Sequence, residues 1–591
     1  MTLDVGLIAS NWLSALGSAL HSGDGSVVAA LFLPDGWLRD VLVFSWDLHT
    51  IEGRDNVVTY VANSLKEDYI TNARLDDTPE LEPRLRKVPL SQDMFSVEFG
   101  FRFELPHGHG RGLARLVQDQ EGTFRAFAVV LTLHDLHRLE DSESGRLSSR
   151  TDDVTVVSGN HVEREDAEWA SQVEKDPYVL IVGGGHSGLE AAARFKRLNI
   201  RCLVIEKNAR IGDNWRMRHP SLTLESCRRH HTLLYQPFPA DWPEYTPRDE
   251  LADWLEEYVC TQSLVVWTDS QFRVHPRYDG CAGRWDVRVV RAGVETRLRP
   301  SHIVIATGML SHPLTPAFAD LEQFQGRLMH SSEFRGGSPF TGKQVVVIGA
   351  GDSSIDICAD LAHSGAQSVT MVQRSATCVV TRDNFNVVIK EMFPEDEPLD
   401  VSDLRLVALP FPLLEKLSVA SRQATMDAHK EIFDNLRKGG FSIADAGGNP
   451  YAMHFRRQGA FWLDKGGAAL VGDGRIKVES GKSVERFTKT GLILSDGTEL
   501  PADLVVFATG YTPMREPNTE LLGPDIMKHV GPVGGMDEEG ELNGLFRPCG
   551  HPGLWFAAGD FFYSRFFSKP LALQIKAIEL GILHQDPKPK D

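Results

Sequence analysis

Residues 178–206 read YVLIVGGGHSGLEAAARFKRLNIRCLVIE, and this order of apolar run, glycine turn, small-residue helix and second apolar run decides the fold. Val179–Val182 has the length and character of a buried strand. Leu189–Arg197 is rich in helix formers and Cys202–Ile205 is a second buried strand, so the stretch is a βαβ unit. The spacing within Gly183-Gly184-Gly185-His186-Ser187-Gly188 has a chemical reason. Gly183 makes the tight turn, Gly185 lets backbone N–H groups approach a pyrophosphate, and Gly188 lets the helix pack on the strand. The helix that follows His186 and Ser187 then faces the phosphates with its N-terminus. Glu206, followed by Lys207, stands 23 residues after Gly183, where a carboxylate accepts hydrogen bonds from an adenosine ribose.

A second unit repeats the pattern at 343–375, KQVVVIGAGDSSIDICADLAHSGAQSVTMVQRS. Gly349 and Gly351 take the places of the first two glycines, Asp352 and Ser353 follow, and Ser354 stands for the third glycine, where a small residue serves helix–strand packing. The second strand ends in Arg374-Ser375 and not in an acid. A carboxylate suits the ribose 2′-OH of NAD, whereas a guanidinium suits the 2′-phosphate of NADPH, so this unit is predicted to take NADPH. SHIVIATG at 301–308 and DLVVFATGY at 503–511 are buried strands ending in Thr-Gly turns. Thr307 and Gly308 in the first, and Thr509 and Gly510 in the second, are candidate cofactor contacts.

The chain has 591 residues, room for about three or four domains. A formal charge of -19 argues against a nucleic-acid or anionic-membrane surface. Seven cysteines without a CxxC pair give no disulfide framework and no metal spacing, which also removes a disulfide reductase from consideration. No basic leader and no long apolar run stand in the sequence, and the expectation is a soluble cytoplasmic protein with no resident metal.

Further motifs carry a family resemblance. FQGRLMHSSEF at 324–334 fits FxGxxxHxxx(Y/F) through Phe324, Gly326, His330 and Phe334. PFPADWPEYTPRDELADWLEEYV at 237–259 is an aromatic, proline-rich loop before an amphipathic helix. Together with two Rossmann units and the second ATGY, these resemble the class B flavin-dependent monooxygenases, over about residues 177–583. The segment 455–478 is similar to one shared with the plant auxin-forming monooxygenases, except that Lys465 stands where valine commonly follows Leu-Asp.

The resemblance implies an α/β fold with an FAD domain split as 177–320 and 495–591 around an NADPH domain at 321–494 that carries a helical insertion. It implies FAD at Gly183, Gly185, His186, Ser187, Gly188, Glu206, Lys207, Gly212, Trp215, Thr307, Gly308, Asp560 and Gln574. NADPH is assigned to Gly349, Gly351, Asp352, Ser353, Ser354, Arg374, Ser375, Thr509 and Gly510. His330 then has a structural or domain-movement role, or is a core histidine. Arg228, Arg229, His230 and His231 lie near the flavin edge or are solvated. No side chain is assigned to oxygen activation. The implied reaction is NADPH reduction of FAD, formation of a C4a-(hydro)peroxyflavin from O2, and transfer of one oxygen to a small organic substrate. N- or S-oxygenation comes first, with oxidative decarboxylation of an arylpyruvate such as indole-3-pyruvate, or Baeyer–Villiger insertion, next. An electron-transfer reductase and a nucleotide-sensing scaffold are the readings of another class.

Residues 1–138 have their own pattern, helical from Ile8 to His21 and then alternating in FSVEFGFRFEL and FRAFAVVLTLHDL. The order resembles the NTF2-like (SnoaL-like) α+β cone, with Trp46, Gly53 and Tyr60 in support. Asp40, Asp47, His49 and His134 read either as acid/base groups or as ordinary core and surface residues. The preferred reading is a docking or dimerisation domain, giving a homodimer. A polar linker, 139–176, with a short helix near Glu163 to Val173, joins it to the rest.

Overall fold

The computed structural model describes residues 3–64, 69–91, 93–137, 139, 159–310, 312–444, 450–457 and 461–584. Most of the polar linker, residues 140–158, lies outside the described residues.

The N-terminal unit follows from its caps and its alternation. α1 (Val5–Ser22) opens where the Asp4 carboxylate accepts from Leu7 N, and it closes on Gly23. After α2 (Gly25–Ala29) come β1 (Phe32–Val41), β2 (Leu48–Glu52), α3 (Arg54–Ser64), β3 (Thr71–Leu75), β4 (Arg84–Lys87), β5 (Phe95–Leu105), β6 (Gly108–Gln118) and β7 (Phe124–Leu136). They form one sheet in the order β2-β1-β7-β6-β5-β3, with β4 also on β5, and only β1 and β7 run parallel. Side chains alternate across a strand. Phe99 and Phe101 meet Trp12 of α1, at 5.9 and 6.5 Å between rings, so that face is the core under the helix. Glu98 and Arg115 therefore point from the opposite face.

The linker helix, α4 (Gly159–Lys175), is longer than expected and leads into the first parallel sheet. That sheet uses β8 (Val179–Val182), β9 (Cys202–Ile205), β10 (Val266–Trp267) and β11 (His302–Ile305), with α5 (His186–Arg197) between the first two. The second uses β12 (Arg327–His330), β13 (Gln344–Ile348), β14 (Ser368–Gln373), β15 (Ile476–Ser480) and β16 (Leu504–Phe507), with α6 (Asp352–His363) following β13. Between β14 and β15 sits the helical insertion, whose α7 (Leu399–Val407) is buried along most of its length. The chain then returns to the first sheet by β17 (Leu554–Phe556) and ends in α8 (Phe561–Glu579). The orders are β10-β9-β8-β11-β17 and β12-β16-β13-β14-β15, and both sheets are wholly parallel. These are two Rossmann-type units, one inserted in the other.

One expectation is corrected. β16 pairs with β12 and β13, so the inserted unit extends at least to Phe507 and the return to the first sheet cannot begin at 495. The last helix starts at Phe561, where Asp560 caps it by accepting from Tyr563 N at 2.7 Å. Pro570 sits inside the helix, where the missing N–H costs one backbone hydrogen bond without ending it.

The face of the N-terminal sheet that carries Glu98 and Arg115 is docked on α7. Arg115 donates to Glu98 and to the carbonyls of Arg405 and Ala408, while Arg405 donates back to Glu98 at 2.8 Å. At the other edge Arg39 forms a two-pronged pair with Glu541, at 2.8 and 2.7 Å, and Thr50 Oγ1 donates to the same carboxylate. Three of the four acid/base candidates hold this seam. Asp47 pairs with Arg547, His49 with Glu539, and His134 lies 3.4 Å from Lys569 Nζ. The fourth, Asp40, is fully buried and accepts from Val43 N, Phe44 N and the Tyr60 hydroxyl; burial pushes its carboxyl up to about 6.

Candidate functional site

Gly183 has φ 118°, a region that L side chains rarely adopt, and a Cβ placed there would lie 2.4 Å from the Ala306 carbonyl oxygen. The first glycine loop is thus seated directly on the first Ala-Thr-Gly turn. The second loop repeats this contact: Gly349 has φ 127° and its added Cβ would lie 2.2 Å from the Ala508 oxygen. Gly185 and Gly351 cap α5 and α6 in extended conformation, leaving the first-turn N–H groups of both helices facing outward.

Around the first loop, both oxygens of Glu206 accept backbone N–H groups, from Gly184 at 2.8 Å and Asn208 at 2.9 Å. Each oxygen keeps a lone pair for a ribose hydroxyl. Lys207 is exposed beside it, and Thr307 is exposed with Gly308 half-buried at the end of β11. Gly212 opens the short helix that carries Trp215, whose buried indole N–H has no partner. α8 brings a second helix N-terminus to the same place. His186 Nε2 donates to the Gly559 carbonyl at 2.9 Å, Ser187 and Ser564 share a hydrogen bond of 2.8 Å, and the His186 ring stacks on Phe561 at 4.3 Å. Asp560 joins the cluster as the cap of α8. Gln574 does not: fully buried, it donates to the Phe546 and Pro570 carbonyls, about 20 Å along α8 from the cap.

Around the second loop, Asp352 accepts from Leu463 N at 3.3 Å, Ser353 is exposed, and Ser354 is buried with its Oγ unpartnered. Arg374 and Ser375 are exposed just after β14. Thr509 Oγ1 donates to the Leu314 carbonyl. His330 donates through Nε2 to the Gly510 carbonyl at 3.0 Å, while Ser332 N donates to its Nδ1 at 3.1 Å. The motif histidine is therefore a structural tie between β12 and the second Thr-Gly turn. Burial lowers its pKa, which keeps the ring neutral with the proton on Nε2.

Two groupings go beyond what the sequence assigned: the members of the first come from distant segments, and the second, though local, depends on how a turn folds its rings onto one hydroxyl. Glu225, Asp352 and Asp356 bring their carboxylates together, and Lys465 Nζ contacts Glu225 at 2.7 Å and Asp356 at 3.0 Å. Burial and the neighbouring Asp356 raise the pKa of Asp352 well above the carboxylate range. For Lys465 burial pulls downward, but Asp356 and Glu225 outweigh it and hold the ammonium charged. The unusual lysine thus ties the insertion to α6 and to the loop before the aromatic-proline segment. The second grouping is Ser226 with His230 and His231, both of whose rings lie 2.7 Å from its Oγ. Arg228 and Arg229 point away from that pair, to the Ala240 and Trp242 carbonyls and the Glu397 carbonyl.

The residues present fit a dinucleotide with a flavin. Two helix N-termini converge for a pyrophosphate, a carboxylate awaits a ribose, and buried polar atoms on Trp215 and His231 lack partners.

Comparison with known proteins agrees. Residues 176–517 match the FMO-like family, flavin-binding monooxygenase-like. The indole-3-pyruvate monooxygenase YUCCA1 of Oryza sativa subsp. japonica is 29% identical over 336 residues, 57% of this chain and 77% of that protein. Among solved structures, an oxidized steroid monooxygenase bound to NADP aligns with TM-score 0.50 and 19% identity, covering 68% of this chain and 85% of its own. The polycyclic ketone monooxygenase of Thermothelomyces thermophila aligns with TM-score 0.50 and 17% identity, covering 69% and 76%. These two show the shared fold. No helix among the described residues is long and apolar enough to cross a membrane. With its paired glycine loops seated on paired Ala-Thr-Gly turns and the family match spanning more than half its length, the chain belongs to the flavin-binding monooxygenases of the FMO-like family.

Proposed function

We propose that the protein uses NADPH and FAD to transfer one atom of O2 to a small organic substrate, with N- or S-oxygenation as the leading reaction. The observation that carries this is the duplicated seat, Gly183 on Ala306 and Gly349 on Ala508, linked across the crossing by His330 and Gly510. Two dinucleotides held on two such seats supply the redox pair that the reaction needs, and the bound flavin supplies the oxygen chemistry. The chain's own part is to orient the two cofactors and exclude water. The names of the plant relatives support a second reading, oxidative decarboxylation of an arylpyruvate such as indole-3-pyruvate. Both readings share a first test: anaerobic addition of NADPH to the full-length protein must bleach the flavin. Aeration with amines, sulfides or indole-3-pyruvate must then give product in proportion to NADPH consumed. A flavin that NADPH leaves oxidised would sink both.

Choice of NADPH over NADH rests on Arg374. Arg374→Ala is expected to weaken NADPH by about 1.5–3 kcal/mol, the scale of a charge-assisted hydrogen bond, and to leave NADH unchanged. Titration of both nucleotides into wild type and variant checks it; equal losses would refute the assignment.

The N-terminal unit we assign as an NTF2-like docking module. Its free sheet face is taken up by the chain's own insertion through Arg115, Glu98 and Arg405, which favours docking within the chain over a homodimer on that face.

A further inference from the structure

Ser226 Oγ carries a single proton and touches two imidazoles, His230 Nδ1 and His231 Nε2, each at 2.7 Å. At most one ring can therefore accept from it, so at least one must donate to it. Asp560 settles which. Its Oδ2 lies 3.5 Å from His230 Nε2, and a carboxylate favours the N–H, not the lone pair, of a ring nitrogen that faces it. With the proton of His230 on Nε2, its Nδ1 accepts the Ser226 hydroxyl, and the Ser226 oxygen accepts His231 Nε2–H. His231 Nδ1 is then a bare lone pair. His231 is only 6% exposed, and among the described residues no donor reaches its Nδ1.

An unpartnered acceptor on a buried ring is costly unless a bound molecule supplies the donor. The neighbours do not. His186 spends its N–H on the Gly559 carbonyl, and Arg565 spends its donors on Asp403 and on the carbonyls of His230 and Thr232. The His231 ring lies 5.2 Å from Phe561, edge to face, at the N-terminus of α8, beside the convergence described above. A pyrophosphate at neutral pH offers acceptors only, and the adenosine end of the dinucleotide belongs to Glu206. The donors that remain are in the flavin half, where the ribityl chain carries hydroxyls.

We propose that His231 is a cofactor-binding residue whose Nδ1 accepts a hydrogen bond from a ribityl hydroxyl of FAD, and that Ser226, His230 and Asp560 are positioning residues that fix its tautomer. This rests on the FAD reading above. The preset acceptor discriminates the flavin half from the adenylate half, a distinction the glycine loop alone does not make.

The test measures FAD and ADP binding to the full-length chain freed of cofactor. His231→Phe keeps an aromatic ring and removes the acceptor. It is expected to weaken FAD about tenfold, the scale of one lost buried hydrogen bond, and to leave ADP, which lacks the ribityl chain, unchanged. His231→Asn carries a carbonyl oxygen near the position of Nδ1 and is expected to recover most of that loss. FAD affinity unchanged in His231→Phe would overturn the proposal, and so would an equal loss for ADP or a failure of asparagine to recover any binding while ADP still binds normally. A wild-type chain that binds no FAD at all would overturn the functional reading itself, a result distinct from these.

Discussion

Gly183→Ala is expected to purify without flavin and to melt well below the parent protein. At φ 118° an alanine takes on backbone strain of about 1–3 kcal/mol. Its Cβ would also lie 2.4 Å from the Ala306 oxygen and 2.8 Å from the Ala306 carbonyl carbon. Those are backbone atoms of the neighbouring turn and cannot rotate aside as a side-chain tip can, so relief requires β8 and β11 to move apart. Overpacking of that kind adds about 1–3 kcal/mol. The sum is about 2–6 kcal/mol, a large part of the stability of an ordinary domain. The ratio of flavin to protein absorbance and the thermal midpoint are the measurements, and normal values of both would show that the seat on Ala306 is dispensable. Gly349→Ala, against Ala508, is the matched control, expected to keep flavin and to lose NADPH.

The second large effect concerns the docked N-terminal unit. Arg39 and Glu541 are 5% and 1% exposed, and removing one partner of such a pair strands the other charge away from water. Glu541→Ala is expected to cost about 3–5 kcal/mol, whereas replacing both residues by methionine is expected to be near neutral. Urea denaturation of the three proteins decides it; a single variant as stable as the double one would refute the pairing argument. The pH dependence has a definite sign. Burial alone raises the Glu541 pKa, but the Arg39 guanidinium and the Thr50 hydroxyl outweigh it and hold the carboxyl below its usual value. A depressed pKa contributes stability that is fully present above the unfolded value, about 4.3, and lost as pH falls through the folded one. The gap between wild type and Glu541→Ala must therefore narrow in acid.

Both Rossmann units were legible because their constraints are local. Gly183 and Gly349 are required by a backbone angle and by one neighbouring carbonyl, and such needs leave a mark at a single position. The same holds for Glu206 and Arg374, which end their strands at a fixed offset from the loop. Where the sequence misled, a local signal lost to a tertiary one. Pro570 marks a helix start in isolation, yet the Asp560 cap ten residues earlier and burial of Leu571 to Ala577 carry the helix through it. The resemblance puts Gln574 at the flavin, and in the structure its Nε2 donates to the Phe546 and Pro570 carbonyls, contacts that no sequence pattern announces. Acid/base candidates in the N-terminal unit could not be read at all, because Asp47 and His49 find their partners some 500 residues away, at Arg547 and Glu539. Ser226 was invisible for a related reason: its use depends on two rings and a carboxylate meeting in space.

The seam that joins the first strand of the chain to a loop near its end turns a spatial contact into a temporal one. Arg39 and Glu541 are separated by 502 positions. At about 5–20 residues per second on the ribosome, Arg39 emerges roughly 25 to 100 s before the carboxylate that neutralises it. Throughout that interval Arg39 stands without its carboxylate; α7 and the Val407 carbonyl arrive earlier, but only the last tenth of translation supplies Glu539, Glu541 and Arg547. A chain released early in that final tenth would carry both dinucleotide loops and an N-terminal sheet whose buried Arg39 has no carboxylate opposite it.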